Sequence, residues 1–112
     1  MDSFVEKMAV VTGGGTGMGR ELVRQLVASG CHVATCDINP DAMEETSEIA
    51  LAGTQFDVRL TTHLCDVSDE ADVLAFRDQL QARHQVEHLD LVFNNAGIGG
   101  GGSFVTDDCL LY

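Results

Sequence analysis

The chain is 112 residues long, 45% hydrophobic and 21% charged, with six basic against 18 acidic side chains and a net charge of −12. That length fits one domain with a modest core, and the apolar content with a single proline excludes a disordered or collagenous chain. The acidic balance argues against a nucleic-acid backbone or an anionic membrane surface as partner.

The first residues, Met1 to Lys7, carry acids and no apolar stretch of signal-peptide length, and no later run is long enough to cross a bilayer. Cys31, Cys36, Cys65 and Cys109 lack paired Cys-x-x-Cys spacing. Buried thiols in a reducing cytoplasm are therefore expected, rather than a disulfide framework or a zinc site.

Strand and helix alternate along the chain. Met8-Ala9-Val10-Val11 is a continuous apolar run that suits a strand buried on both faces. A helix is expected from about Gly17 to Ser29, with Met18, Leu22, Leu26 and Val27 at core spacing and Gly30 as its stop. His32 to Asp37 reads as the second strand. Asn39 and Pro40 form a cap and first-turn pair for a helix running through Met43, Ile49 and Ala50 to about Ala52. Gly53 ends it, and a third strand fits Val58 to Cys65. Ser68 is the expected cap of a third helix carrying Val73, Phe76 and Leu80 on its apolar stripe, with Asp69 and Glu70 in its first turn. A last strand, Leu89 to Asn94, runs into Asn95-Ala96-Gly97. Short connections between alternating elements imply a parallel sheet with right-handed crossovers.

Between the first strand and helix stands Thr12-Gly13-Gly14-Gly15-Thr16-Gly17-Met18-Gly19. Such a turn needs glycine so that the chain can leave the strand sharply, approach a pyrophosphate closely and pack the helix on the strand. The helix N-terminus then directs free N–H groups at the phosphates. The loop holds no lysine, which excludes a mononucleotide P-loop. Asp37 ends the second strand 18 residues after the last loop glycine, Gly19, the position from which a carboxylate accepts hydrogen bonds from ribose hydroxyls and repels a 2′-phosphate. Neither Thr16 nor Ile38 nor Asn39 supplies a cation for such a phosphate, so NAD is expected in preference to NADP.

Thr12-Gly13-x-x-x-Gly17-x-Gly19, Asp37, the pair Asp66-Val67 and the run Asn94-Asn95-Ala96-Gly97 together resemble the short-chain dehydrogenase/reductase family, from about Lys7 to Thr106. The resemblance implies an α/β, Rossmann-like parallel sheet of order 3-2-1-4 with flanking helices, here truncated after the fourth strand. Residues 1–98 would form the NAD(P)-binding domain and 99–112 a glycine-rich loop and frayed tail. It further implies that Gly13, Thr16, Gly17, Met18, Gly19, Asp37 and Ile38 hold the cofactor. Asp66 would bind the adenine amino group, Val67 would pack on the ring, Asn94, Ala96 and Gly97 would line the ribose, and Asn95 would tie the central strands. In the implied order, Cys36 and Cys65 end adjacent strands as near neighbours.

The family's hydride transfer between nicotinamide and an alcohol or carbonyl carbon uses a tyrosine with a lysine four residues later, and a serine. The only lysine is Lys7 and the only tyrosine Tyr112, so no Tyr-x-x-x-Lys occurs in these 112 residues and no catalytic residue is assigned. Thr106 with Asp107 and Asp108 begins a helix signal that Cys109 to Tyr112 is too short to complete. The expectation is the N-terminal portion of a longer oxidoreductase, meeting an alcohol or carbonyl substrate only in full-length form. Its fourth strand would be an open sheet edge through which the chain self-associates.

Two other functions compete: a catalytically inactive dinucleotide-binding module, and a methyltransferase-like fold, which the Asn94-to-Gly97 run disfavours. His84 and His88 have i, i+4 spacing but no third ligand, and a solvated helix end is expected for them. Asp41, Glu44, Glu45 and Glu48 lack calcium-loop order and read as a solvated face. Gly99 to Gly102 is either a lid or a slack connection.

Overall fold

A computed structural model of the chain describes residues 4–86 and 88–95. The elements follow in the order β1 (Met8–Thr12), α1 (Gly17–Ala28), β2 (His32–Asp37), α2 (Pro40–Ala52), β3 (Leu60–Leu64), α3 (Glu70–His84) and β4 (Leu91–Asn94). All strand pairs are parallel, in the order β3-β2-β1-β4. The expected fold class and strand order therefore hold, with β3 shorter than the expected Val58-to-Cys65 span.

β1 is buried along its whole length because it has a strand on each side and helices on both faces. Alternation sorts its side chains. Met8 and Val10 join Ala34, Cys36, Cys65, Val73, Phe76 and Leu80 beneath α3, whereas Ala9 and Val11 join Val23, Leu26, Val27, Val33 and Ala50 beneath α1 and α2. Two helices thus cover one face and one the other, as right-handed crossovers on either side of β1 require.

Local signals explain the helix ends. Asn39 caps α2 by accepting from the Ala42 N–H at 3.0 Å, and Pro40 occupies its first turn. Gly30, at φ +89°, takes the chain out of α1 into β2.

Three expectations are corrected. Asp69, not Ser68, caps α3, accepting from Ala71 and Asp72 N–H groups, because Ser68 is held by Asp66 through both its N–H and its hydroxyl. Met18 and Ile49 lie on the outside of their helices, and Val23 and Thr46 take the core positions instead. His84 is not a solvated helix end: it is 7% exposed and hydrogen-bonded to Thr61 on β3. His88, by contrast, is exposed beside Asp90.

The buried histidines form a directed chain. His63 Nδ1 meets Gln79 Oε1 at 2.9 Å, which makes that nitrogen the donor and leaves Nε2 to accept the Thr61 hydroxyl at 2.8 Å. Thr61 Oγ1 then accepts from His84 Nε2–H at 2.7 Å. The direction of the chain requires a neutral His63, because its Nε2 accepts. Burial, with the nearby Arg59, His63, His32 and Arg83, lowers the His84 pKa to about 4, and burial also lowers that of His63.

A depressed histidine pKa means that the folded chain binds fewer protons than the unfolded chain between pH 6.5 and 4. Stability is full above pH 6.5 and falls as pH drops through that window, with a limiting slope of about 1.4 kcal/mol per pH unit where His84 is charged only in the unfolded chain. Urea unfolding across pH 7.5 to 4.5 is expected to show this loss, and His84→Gln to flatten it. An equal slope in both proteins would refute the assignment to His84.

Candidate functional site

The carboxyl ends of β1, β2 and β3 open on a crevice of about 290 Å³ lined by Gly13, Thr16, Cys36, Asp37, Ile38, Cys65, Asp66, Val67 and Asn95. A larger groove of about 620 Å³ lies at the amino ends, among Glu6, His32, Arg59 and His84. In open parallel sheets ligands bind outside the carboxyl ends, where strand order reverses, and here that reversal falls between β1 and β4.

The turn out of β1 is built by close backbone approach. Gly13 has φ +72°, and the Gly13 and Gly14 N–H groups donate to the Cys36 carbonyl at 2.7 and 3.3 Å, fastening the turn to β2. Asn95 Nδ2 donates to the Gly13 carbonyl at 3.3 Å from the other side. Gly19 then lies so near this carbonyl that a Cβ on it would stand 1.9 Å from the oxygen. Sequence spacing gives that glycine its place, and the structure its reason: α1 starts against the backbone of the turn.

The N-terminus of α1 differs from those of α2 and α3. Thr16 occupies the cap position with no side-chain capping bond, and the first turn holds no acid. α2 and α3 are capped by Asn39 and Asp69 and carry Asp41, or Glu70 and Asp72, in the first turn. Thr16, Gly17 and Met18 are exposed. The first N–H groups of α1, with the positive end of its dipole, are thus available to an anion, whereas the starts of α2 and α3 are already capped and carry acids.

Asp37 lies at the mouth of the crevice. Its Oδ2 accepts from Gly15 N–H at 2.8 Å, and its Oδ1 from Ile38 and Asn39 N–H at 2.7 and 3.3 Å. A carboxylate offers about four lone pairs, so backbone groups leave room on Oδ2 for one ribose hydroxyl rather than two. Ile38 is exposed beside it. Across the crevice Asp66 is exposed, and its hydrogen bonds from Ser68 hold its carboxyl below the usual carboxylate range. Val67 packs against the α3 core. Cys36 and Cys65 are buried between the two acids, and burial raises both thiol pKa values, so the floor of the crevice is uncharged.

The crevice therefore gathers Gly13, Thr16, Asp37, Ile38, Asp66 and Val67. Gly17 and Met18 are on the rim in the first turn of α1, and Gly19 is behind the turn. Asn94 is exposed at the end of β4. Ala96, Gly97, the stretch Gly99 to Gly102, the tail and its Cys109 lie outside the described residues. Among the described residues no three His, Cys, Asp or Glu side chains are placed to hold a metal, and no helix is long and apolar enough to cross a membrane.

Sequence reasoning missed Arg20 and Thr46, which hold the far side of the glycine turn. Thr46 had one readable signal, a polar residue between Met43 and Ala50 on the inward stripe of α2. Arg20 had none.

A short chain dehydrogenase family model matches residues 7–108. Levodione reductase of Leifsonia aquatica is 36% identical over 97 residues, covering 87% of this chain and 35% of that protein. NAD+-bound xylitol dehydrogenase superposes with a TM-score of 0.75 at 28% identity, over 85% of this chain and 35% of that one. A metagenomic short-chain oxidoreductase in complex with NADP superposes with a TM-score of 0.73 at 30% identity, over 88% of this chain and 42% of the other. The chain thus spans well under half the length of these relatives.

Gly19→Ala is expected to lower stability by about 1–3 kcal/mol, because the new methyl must displace the Gly13 carbonyl or the start of α1. Denaturant unfolding beside Gly53→Ala, whose Cβ would meet nothing nearer than 3.6 Å, checks this. Equal stabilities would show that the close approach does not constrain the turn.

Proposed function

Because the chain belongs to the short chain dehydrogenase family, we propose that it is the cofactor-binding part of an NAD-dependent oxidoreductase that moves a hydride between nicotinamide and an alcohol or carbonyl carbon. One observation carries the reading: Asp37 stands at the end of β2, on the same crevice as the glycine turn and the open start of α1.

The residues present suit a dinucleotide. Gly13, Thr16 and the first N–H groups of α1 hold the pyrophosphate, Asp37 takes a hydroxyl of the adenosine ribose, Ile38 and Val67 flank the adenine, and Asp66 accepts from its amino group. Asn94, Ala96 and Gly97 line the cofactor's ribose by family resemblance. The cofactor supplies the hydride chemistry, and this chain's residues bind and orient it. Proton transfer at the substrate oxygen falls to a Tyr-x-x-x-Lys pair, which these 112 residues do not contain.

NAD is preferred because Asp37 sets a negative charge where a 2′-phosphate would sit. The family neighbours include both NAD-bound and NADP-bound proteins, so the preference rests on this acid alone. Cys31, Cys36 and Cys65 are buried free thiols, which suits a reducing cytoplasm. Among the described residues β4 has no strand on its outer side, and we assign self-association to that edge. Sedimentation equilibrium is expected to show a mass that rises with concentration; a constant monomer mass would refute it.

Asp37→Ala is expected to weaken NADH binding about 10- to 100-fold, the worth of one charge-assisted hydrogen bond, and to bring NADH and NADPH closer in affinity. Fluorescence titration with both nucleotides tests this, and an unchanged NADH/NADPH ratio would remove Asp37 as selector.

A further inference from the structure

We infer that Arg20 and Thr46 are positioning residues for the pyrophosphate, acting through the peptide groups of Gly14 and Gly15. The inference rests on the dinucleotide reading and adds to it two residues that are not among those lining the crevice.

Gly14 and Gly15 are buried, and their carbonyls turn away from the strand ladder, so they need donor partners from elsewhere. Thr46, 1% exposed in the middle of α2, meets the Gly14 carbonyl at 2.8 Å and the Gly15 carbonyl at 3.1 Å. A threonine hydroxyl has one proton to donate and two lone pairs. With its proton directed to these carbonyls, its oxygen accepts from Arg20 Nε at 2.9 Å. The same guanidinium donates through Nη2 to the Gly15 carbonyl at 2.6 Å and to the Ala42 carbonyl at 3.2 Å, and through Nη1 to Glu45 at 2.6 Å.

Gly15 is therefore gripped at both ends. Asp37 on β2 takes its N–H, while Arg20 on α1 and Thr46 on α2 take its carbonyl. Three elements fix one residue, immediately before the Thr16 cap and the first turn of α1. Rotation of its peptide groups would swing the N–H groups that face the anion. Holding them in place before the ligand arrives removes an ordering cost from binding. The Arg20–Glu45 contact adds a second consequence. The guanidinium that reaches Gly15, beside Asp37, is already committed to a carboxylate and to backbone carbonyls, so it is not free for a 2′-phosphate.

The role predicts selectivity by ligand part. ADP-ribose carries the pyrophosphate and adenosine does not, while both use the Asp37 and Asp66 ends of the crevice. In calorimetric or NMR titrations of the full chain, Thr46→Val is expected to weaken ADP-ribose by up to about 10-fold, the ordering cost that the held turn otherwise removes from binding, and to leave adenosine within about 2-fold. Thr46→Ser, which keeps the hydroxyl, is expected to restore ADP-ribose binding. Arg20→Lys keeps the charge but loses the fork, and it is expected to reproduce the selective loss even where Thr46→Val does not fold. Unchanged ADP-ribose affinity in Arg20→Lys, or equal weakening of adenosine and ADP-ribose, would overturn the positioning role. A wild-type chain that binds adenosine and ADP-ribose no differently would overturn the dinucleotide reading itself.

Discussion

The contact on which the rest of the molecule depends is the meeting of the Gly13 carbonyl with the start of α1 at Gly19. It sets how close the first helix lies to the first strand, and that strand is in the middle of the sheet. β1 pairs with β2 on one side and β4 on the other, with Thr12 opposite both Cys36 and Asn94. The turn that follows Thr12 is consequently anchored to the Cys36 carbonyl and to Asn95. Because β1 is central, its exit lies over the reversal of strand order, and the cleft between neighbouring crossovers opens there. A side chain at position 19 would lift α1 away, and the crevice, the helix dipole and the Asp37 contact to Gly15 would lose their common reference.

Charge is distributed to the same end. The chain is strongly acidic, yet acids are absent from the first turn of α1 while they are present in those of α2 and α3. In α2 and α3 the caps and first-turn carboxylates satisfy the helix N-termini internally and stabilise them. In α1 neither the cap nor a first-turn carboxylate supplies that stabilisation. Among the described helices α1 is the one whose start has neither a side-chain cap nor a carboxylate in its first turn.

What could be read in advance was what depends on local spacing. The glycine turn, the Asn39-Pro40 start of α2, the Gly30 exit from α1 and Asp37 at a strand end are each fixed by residues within a few positions of one another. Strand order followed from the family pattern together with short, right-handed connections. What escaped depends on the rotation of a helix about its own axis. Met18 and Ile49 fit an apolar stripe by period, but the packing of α1 and α2 against each other selects Val23 and Thr46 for the interior. Ser68 had the composition of a cap, and Asp66 withdrew it by taking both its donors. His84 ended a helix in a place that usually means solvent, and only the approach of Thr61 and His63 from β3 turned it inward. Arg20 and Thr46 act on backbone carbonyls, and no spacing rule connects position 46 to position 14.

The crevice floor adds a chemical argument to the geometric one. Asp37 and Asp66 follow one another across the ends of adjacent strands, and between them the sheet presents Cys36 and Cys65 as neutral, polarisable thiols. A crevice lined by two acids and two neutral thiols would suit a ligand with hydrogen-bond donors at its two ends and an apolar, polarisable middle. Adenosine has that form: hydroxyls on the ribose, an amino group on the far edge of the base, and an aromatic ring between them. A ligand anionic at the sugar end would face Asp37, whose backbone partners hold the carboxylate in place so that it cannot turn aside. On the proposed reading the pyrophosphate would lie in the opposite direction, toward the open start of α1. Acceptors thus stand over β2 and β3 and donors over β1, a separation along the crevice that, on the proposed reading, would set a dinucleotide in a single orientation.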